Sequence, residues 1–132
     1  MKIIRNKYMP FGKFGCMNIL GLLFVREEVE LTDKAIHHEA IHTVQQYEIL
    51  TASALAALVV SNIYASWLYL LIVIAMPILL YALAWIVALV LPPYDRAYKD
   101  SPFEREAYTN EHNSLYLATR PLFAWVKYIN MK

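Results

Sequence analysis

The sequence predicts a mainly α-helical fold in which a transmembrane helical hairpin carries a small metal-binding domain. Three observations predict it: a 46-residue stretch without a charged residue, a pair of histidines one helical turn apart before it, and a helix start after it. The chain has 132 residues, so residues 1–132 are expected to form a single domain. Hydrophobic residues make up 59% and charged residues 17%, which is too apolar for an ordinary soluble domain.

The charge-free stretch runs from Ile49 to Tyr94. As one helix it would be roughly 69 Å long, whereas a single membrane crossing needs about 20 residues. Two transmembrane helices within residues 49–94 therefore fit better, since a chain this short cannot wrap two fully apolar helices in soluble protein. The polar run 61–66 is the predicted turn, and residues 67–91 form the predicted second span.

Two crossings place both chain termini on the same side of the membrane. The turn carries no charge, and the positive-inside rule places the flanks in the cytoplasm. We therefore expect an integral protein of a bacterial inner membrane, in contact with the lipid bilayer. The net charge of +1 gives no indication of a nucleic-acid partner, and the Ala-rich hairpin is compatible with a homo-oligomer. The basic residues that flank the hairpin include Arg5, Lys13, Arg26, Arg96, Lys99 and Arg105.

Residues 1–31 are predicted to form a small N-terminal β and loop element. Two short apolar runs, Cys16–Leu20 and Leu22–Arg26, are separated by Gly21 and favour two short strands. An amphipathic segment on the membrane surface is the alternative for this region. Cys16 is the single cysteine, so it cannot form an internal disulfide, and we expect a small buried residue.

Residues 32–48 are predicted to form the active-site helix. Thr32 or Asp33 can cap its first turn. Neither Pro nor Gly interrupts the sequence from there to beyond Val60, so the helix is expected to continue into the first membrane span. The aqueous part of this helix contains an H-E-x-x-H pattern.

The pattern is His38-Glu39-Ala40-Ile41-His42. Residues four apart lie on one helix face, so His38 and His42 can bind one Zn²⁺ at about 2.0–2.1 Å. Glu39 lies beside that face, where its carboxylate can take a proton from a metal-bound water. The spacing therefore supplies two metal ligands and a general base.

A catalytic zinc site also needs a third protein ligand and an open position for water. Glu48 lies six residues after His42, about 600° around the helix and so away from the histidine face. A carboxylate from a second helix is the remaining geometry. The downstream acidic candidates are Asp95, Asp100, Glu104, Glu106 and Glu111.

Glu104 is the preferred third ligand. Ser101, Pro102 and Glu104 together form a helix start, with an N-cap, a proline at the first position and an acid at the third. Ala107 follows one turn later and is small enough to let this helix approach the first one. The alternatives are that Glu104 serves only in the helix cap, or that Glu106 is the ligand. Residues 95–132 thus hold this glutamate helix and a C-terminal helix at 121–129.

The two motifs together resemble the gluzincin metallopeptidases. His38-Glu39-x-x-His42 followed by Glu104-x-x-Ala107 is similar to the branch whose third ligand stands in an E-x-x-A element, with transmembrane helices between the motifs in some members. The run His42-Thr43-Val44-Gln45-Gln46 resembles H-x-x-Q-Q variants of such domains. The resemblance covers about 25 residues of the 132 and implies a minimal gluzincin-like zinc-protease domain on the hairpin.

That resemblance implies His38, His42 and Glu104 as zinc ligands and Glu39 as the general base. It also implies an edge strand before the first helix that aligns a peptide substrate, a role that Leu22–Arg26 could take. The expected function is a membrane-bound zinc-dependent endopeptidase that cuts a peptide or membrane-protein segment near the cytoplasmic membrane face.

Hydrolysis also needs a hydrogen-bond donor for the developing oxyanion. Tyr108 lies one turn after Glu104 and His112 two turns after it, so either can be this donor. His112 is equally well explained as a surface residue at a helix end. His37 points about 100° away from His38 and is expected to be structural, while Gln45 or Gln46 could orient a ligand.

Two other functions fit parts of the sequence. A non-catalytic zinc-binding membrane module, acting as a sensor or partner-binding protein, suits the small size of the chain, although such a site does not need the base Glu39. A di-iron site would use Glu39-x-x-His42 as one half. The second half is absent, because Ala107 follows Glu104 where a histidine is required.

Overall fold

The computed structural model describes residues 1–10, 14–76, 79, 99 and 101–129. Over these residues the protein is mainly helical, with one small sheet of three strands. Residues 68–76 are helical as well. The elements are β1 (Lys2–Asn6), β2 (Cys16–Ile19), β3 (Leu22–Arg26), α1 (Asp33–Tyr64), α2 (Pro102–Asn110), α3 (Tyr116–Thr119) and a 3₁₀-helix (Ala124–Tyr128).

The sheet has the strand order β1-β3-β2. The antiparallel pair β2–β3 confirms the two predicted strands, and its turn has φ 48° at Leu20 and 82° at Gly21. Positive φ at both central residues is typical of a two-residue hairpin turn, and glycine adopts it without steric cost. Strand β1, which was not predicted, pairs with β3 in parallel.

The strand order in the sheet contradicts one prediction. Leu22–Arg26 was expected to be an edge strand that aligns a peptide, but β3 is the central strand and pairs on both sides. Its backbone groups are therefore committed to β1 and β2. Within the described sheet, β2 is an outer strand, and it contacts α1.

The sheet and α1 each have fully buried apolar side chains, and polar contacts join β2 to α1. Leu23 and Val25 of β3 are fully buried, as is Ile41 of α1, and each such burial contributes about 1.5–3 kcal/mol. The Asn18 amide in β2 donates to the Glu39 carbonyl and, at 2.8 Å, to the Thr43 hydroxyl. These contacts fix β2 beside the motif.

Helix α1 confirms the predicted continuous helix through the motif into the apolar stretch. Thr32 caps it, since its hydroxyl accepts from the Ala35 amide at 3.2 Å. The helix ends at Tyr64, inside the predicted turn 61–66, and Ala65 has φ 49°. The predicted second span 67–91 is described only for residues 67–76 and 79, and the rest lies outside the described residues.

Helix α1 is long and apolar enough to cross a membrane, judged by its length and composition. Only 11% of its most apolar 18-residue window is buried within the protein. The exposed side chains there include Leu55, Leu58, Val59 and Ile63.

Two compact units make up the chain. One consists of Met1–Gln46 with Tyr98–Lys132, and the other is Tyr47–Ala97. The first unit contains the sheet, the motif part of α1, and α2. His38, His42 and Glu104 all lie in this first unit.

Helix α2 begins as predicted, because the Ser101 hydroxyl accepts from the Glu104 amide at 3.3 Å and Pro102 is the first residue. It ends at Asn110. The chain then forms α3, which was not predicted. Phe123 has φ 53°, so the predicted helix at 121–129 is shortened to the 3₁₀-helix Ala124–Tyr128.

Candidate metal centre

Three side chains from two helices converge at one point. His38 and His42 come from adjacent turns of α1, and Glu104 comes from the first turn of α2. The Nε2 atoms of the two histidines are 3.0 Å apart. Glu104 Oε2 lies 3.3 Å from His38 Nε2, and Glu104 Oε1 lies 3.2 Å from His42 Nε2.

These separations match those of a metal site. Ligand atoms that lie about 2.0–2.1 Å from a zinc ion in a tetrahedral arrangement are about 3.3 Å from each other. Two imidazole nitrogens and one carboxylate are a donor set that suits zinc and leaves a fourth position for water. The group His38, His42 and Glu104 can therefore bind a metal ion.

The far nitrogen of His42 is held by Gln45. His42 Nδ1 lies 2.8 Å from Gln45 Oε1. The Gln45 amide nitrogen donates to the Phe103 carbonyl and to Glu106 Oε2, each at 3.0 Å. Because both of these partners are acceptors, the amide cannot turn round without losing both bonds. His42 Nδ1 must then carry the proton, and the Nε2 lone pair faces Glu104.

The far nitrogen of His38 is held by Glu111. His38 Nδ1 lies 2.9 Å from Glu111 Oε2, and Lys34 Nζ lies 2.9 Å from Glu111 Oε1. A carboxylate at this position fixes the ring orientation and makes a histidine a stronger metal ligand. His38 therefore also directs its Nε2 lone pair towards Glu104.

The site has an excess of negative charge and lone pairs. Glu104 is buried, and when both imidazoles are neutral their two Nε2 lone pairs face its carboxylate. Burial disfavours the charged form of His42, but hydrogen bonding and charge attraction from Glu104, with a contribution from Glu39, outweigh it and raise the pKa of His42. Such a convergence of acceptors favours a bound cation.

Glu39 directly follows the candidate ligand His38 in α1. The Cys16 thiol donates to Glu39 Oε1 at 3.4 Å. Burial and the nearby Glu39 charge raise the pKa of the Cys16 thiol to about 12. The Glu39 charge also contributes to the raised pKa of His42 and of Tyr108.

Tyr108 contacts one of the candidate ligands. Its ring packs edge-on against His38 with the ring centroids 4.7 Å apart, and the residue is 46% exposed. Burial, together with the charges of Glu104 and Glu111, raises the pKa of the Tyr108 hydroxyl. The hydroxyl therefore stays protonated at neutral pH and can donate a hydrogen bond.

His112, the other predicted hydrogen-bond donor, is more exposed than Tyr108. Its side chain is 70% exposed, and its Nε2 atom lies 3.8 Å from Glu111 Oε1. The donor role of His112 stays a prediction, and its exposure agrees with the alternative of a surface residue at a helix end.

The alternative third ligand, Glu106, serves another purpose. Its carboxylate is fully buried and accepts from Arg120 Nε at 2.6 Å and from the Tyr116 hydroxyl at 2.9 Å. Glu111 was predicted only as a possible ligand, and no role was predicted for Arg120. The spacing of Glu111, seven residues or two helical turns after Glu104, is the signal that could have placed it on the site side of α2.

Comparison of the chain with protein family models, with curated proteins and with solved structures finds no match. Functional assignment therefore rests on the geometry of this site and on the sequence motifs.

Proposed function

We propose that this protein is a membrane-bound zinc-dependent endopeptidase that cuts a peptide or membrane-protein segment near the cytoplasmic membrane face. The observation that carries the proposal is the convergence of His38, His42 and Glu104 with Glu39 beside them. A purely structural metal site has no need of a carboxylate base at that position. A zinc ion bound there would lower the pKa of a water molecule and polarise the scissile carbonyl.

The chain's own residues have distinct tasks in this reaction. Glu39 accepts the proton of the attacking water and can pass it to the leaving amine. Tyr108, whose hydroxyl stays protonated, donates a hydrogen bond to the developing oxyanion. His38, His42 and Glu104 hold the cation that the reaction requires.

A peptide substrate can align on β2. Within the described sheet β2 pairs with β3 on one side only, and Cys16 and Asn18 bring the strand to Glu39. Addition of an extended peptide to a strand edge provides main-chain hydrogen bonds without requiring a particular sequence. We therefore transfer the aligning role from β3 to β2.

The membrane part of the proposal is a two-span hairpin with both termini in the cytoplasm. The exposure of the apolar part of α1 supports contact with lipid, because the core helix of a soluble protein would be mostly buried. Residues 68–76 form the start of a second helix after the turn at Ala65.

The Glu39→Gln variant tests the reaction. It removes the proton acceptor but keeps the shape of the side chain, so we expect zinc to remain bound and hydrolysis to fall about 10²–10⁴-fold. Cleavage of fluorescein-labelled casein by the detergent-purified protein measures the activity, with elemental analysis on the same samples. Glu28→Gln, at an exposed position, is the matched control.

Full cleavage by Glu39→Gln with zinc bound would contradict the mechanism. A wild-type protein that binds zinc but cleaves neither casein nor mixed synthetic peptides would instead favour the non-catalytic zinc-binding membrane module.

A further inference from the structure

A buried ion pair connects the C-terminal segment to the metal centre. The guanidinium of Arg120 contacts both oxygens of Glu106, at 2.6 Å from Nε to Oε1 and at 3.2 Å from Nη2 to Oε2. The side chains are 2% and 0% exposed, respectively. The Tyr116 hydroxyl donates to Glu106 Oε1 as well. Arg120 and Tyr116 both follow α2, outside every motif in the sequence.

The same carboxylate continues to a metal ligand. Glu106 Oε2 accepts from the Gln45 amide nitrogen, and Gln45 Oε1 faces His42 Nδ1. Arg120 therefore fixes the carboxylate, the carboxylate fixes the amide, and the amide fixes the proton on the far side of His42. Gln45 and Glu106 are both buried, so water does not compete for these contacts.

A role in stability alone does not account for this arrangement. Removing two charges from water costs several kcal/mol per ion, and well-packed apolar side chains of the same volume are often as stable as a buried ion pair. The ion pair fixes the orientation of the Glu106 carboxylate, because a guanidinium group binds both carboxylate oxygens in one geometry. A metal-binding imidazole needs a fixed ring orientation and tautomer.

We propose that Arg120, Glu106 and Gln45 form a positioning relay that sets the tautomer and orientation of His42 for metal binding. The segment after α2 is then an integral part of the metal centre. This inference rests on the metal site of the proposed function and is independent of whether the protein cuts peptides.

The two adjacent glutamines provide a matched pair of variants. Gln45→Met removes the contact with His42, whereas Gln46→Met removes contacts of the same kind with the Leu20 amide and the Asn18 carbonyl. We expect Gln45→Met to weaken zinc binding about 10- to 100-fold and Gln46→Met to leave it unchanged. Competition of the full-length, detergent-purified protein with a chromophoric chelator measures the zinc affinity, and the Co²⁺ absorption spectrum reports the ligand geometry.

An exchange of the two polar groups distinguishes positioning from packing. Gln45→Glu places two carboxylates against each other, and Glu106→Gln leaves Arg120 facing an amide. The double variant restores one carboxylate and one amide. An oxygen acceptor at position 45 still faces His42 Nδ1. We expect it to bind zinc more tightly than Gln45→Glu alone, whereas a packing role would make the two losses add.

Each outcome decides between the relay and its alternatives. Equal zinc affinities for Gln45→Met and Gln46→Met, or additive losses in the exchange, would overturn the relay and leave the metal site intact. A wild-type protein that binds no zinc would overturn the proposed function and the relay together. If Gln45→Met does not fold, Gln45→Asn against Gln46→Asn gives the same comparison, because the shortened amide no longer reaches His42.

Discussion

At the scale of single residues, the two histidines of the motif are held in different ways. His38 contacts the Glu111 carboxylate directly, and Lys34 balances that charge. His42 instead contacts the Gln45 amide, which the Glu106 carboxylate holds from behind. The outcome is the same for both rings, a proton on Nδ1 and a lone pair on Nε2.

Cys16 provides a residue-scale prediction. With a pKa of about 12, set by burial first and by the Glu39 charge second, its thiol stays protonated at mildly alkaline pH. Because the thiolate is the nucleophile, we expect iodoacetamide to modify the folded protein at least about tenfold more slowly than the denatured chain. Mass spectrometry measures the rate, which is unambiguous because the chain has one cysteine.

The same alkylation rate measured in the Glu39→Gln variant tests the effect of the Glu39 charge. Removal of the carboxylate charge lowers the thiol pKa, so alkylation should accelerate, but burial keeps it slower than in the denatured chain. Equal rates in the wild-type and Glu39→Gln proteins would show that the thiol and the carboxylate are not neighbours.

At the scale of elements, the local part of the site was predictable from the sequence. The spacing of His38 and His42 and the cap at Ser101 depend on helix geometry within a few residues, and the structure has both. The partners of the ligands depend on contacts between distant segments. Arg120 shows no local pattern that would indicate a buried ion pair with Glu106.

In the sheet, too, contacts between distant segments were not predictable from the sequence. Leu22–Arg26 was correctly predicted as a strand, but its place in the sheet was wrong because the parallel pairing with Lys2–Asn6 depends on residues 20 positions away. The five residues of β1 have only a short apolar centre between charged and polar ends, so the run gave no strand signal of its own.

Two adjacent leucines in β3 test how its two faces are packed. Leu23 is fully buried and Leu22 is 40% exposed. We expect Leu23→Ala to lower the free energy of unfolding by about 2–5 kcal/mol, because it leaves a cavity where a fully buried side chain stood. Leu22→Ala should have a much smaller effect. Denaturant unfolding followed by circular dichroism compares the two, and equal losses would contradict the packing of β3.

At the scale of the whole molecule, the ligands are far apart in sequence yet belong to one compact unit. His42 and Glu104 are separated by the 46-residue charge-free stretch, and both lie in the unit formed by Met1–Gln46 and Tyr98–Lys132. The two histidines and Glu104 can therefore form one site only when the segments on either side of this stretch come together. A membrane hairpin is the arrangement that we propose for that purpose.

The metal content of the detergent-purified protein tests this account most directly. We predict about one zinc per chain in the wild type and in the exposed control Glu28→Ala, and loss of most of it in Glu104→Ala, because two histidines alone make a weak site. Elemental analysis after zinc loading and removal of excess metal gives the ratio. A wild-type protein without zinc, or a Glu104→Ala protein that keeps a full equivalent, would contradict a centre formed by His38, His42 and Glu104.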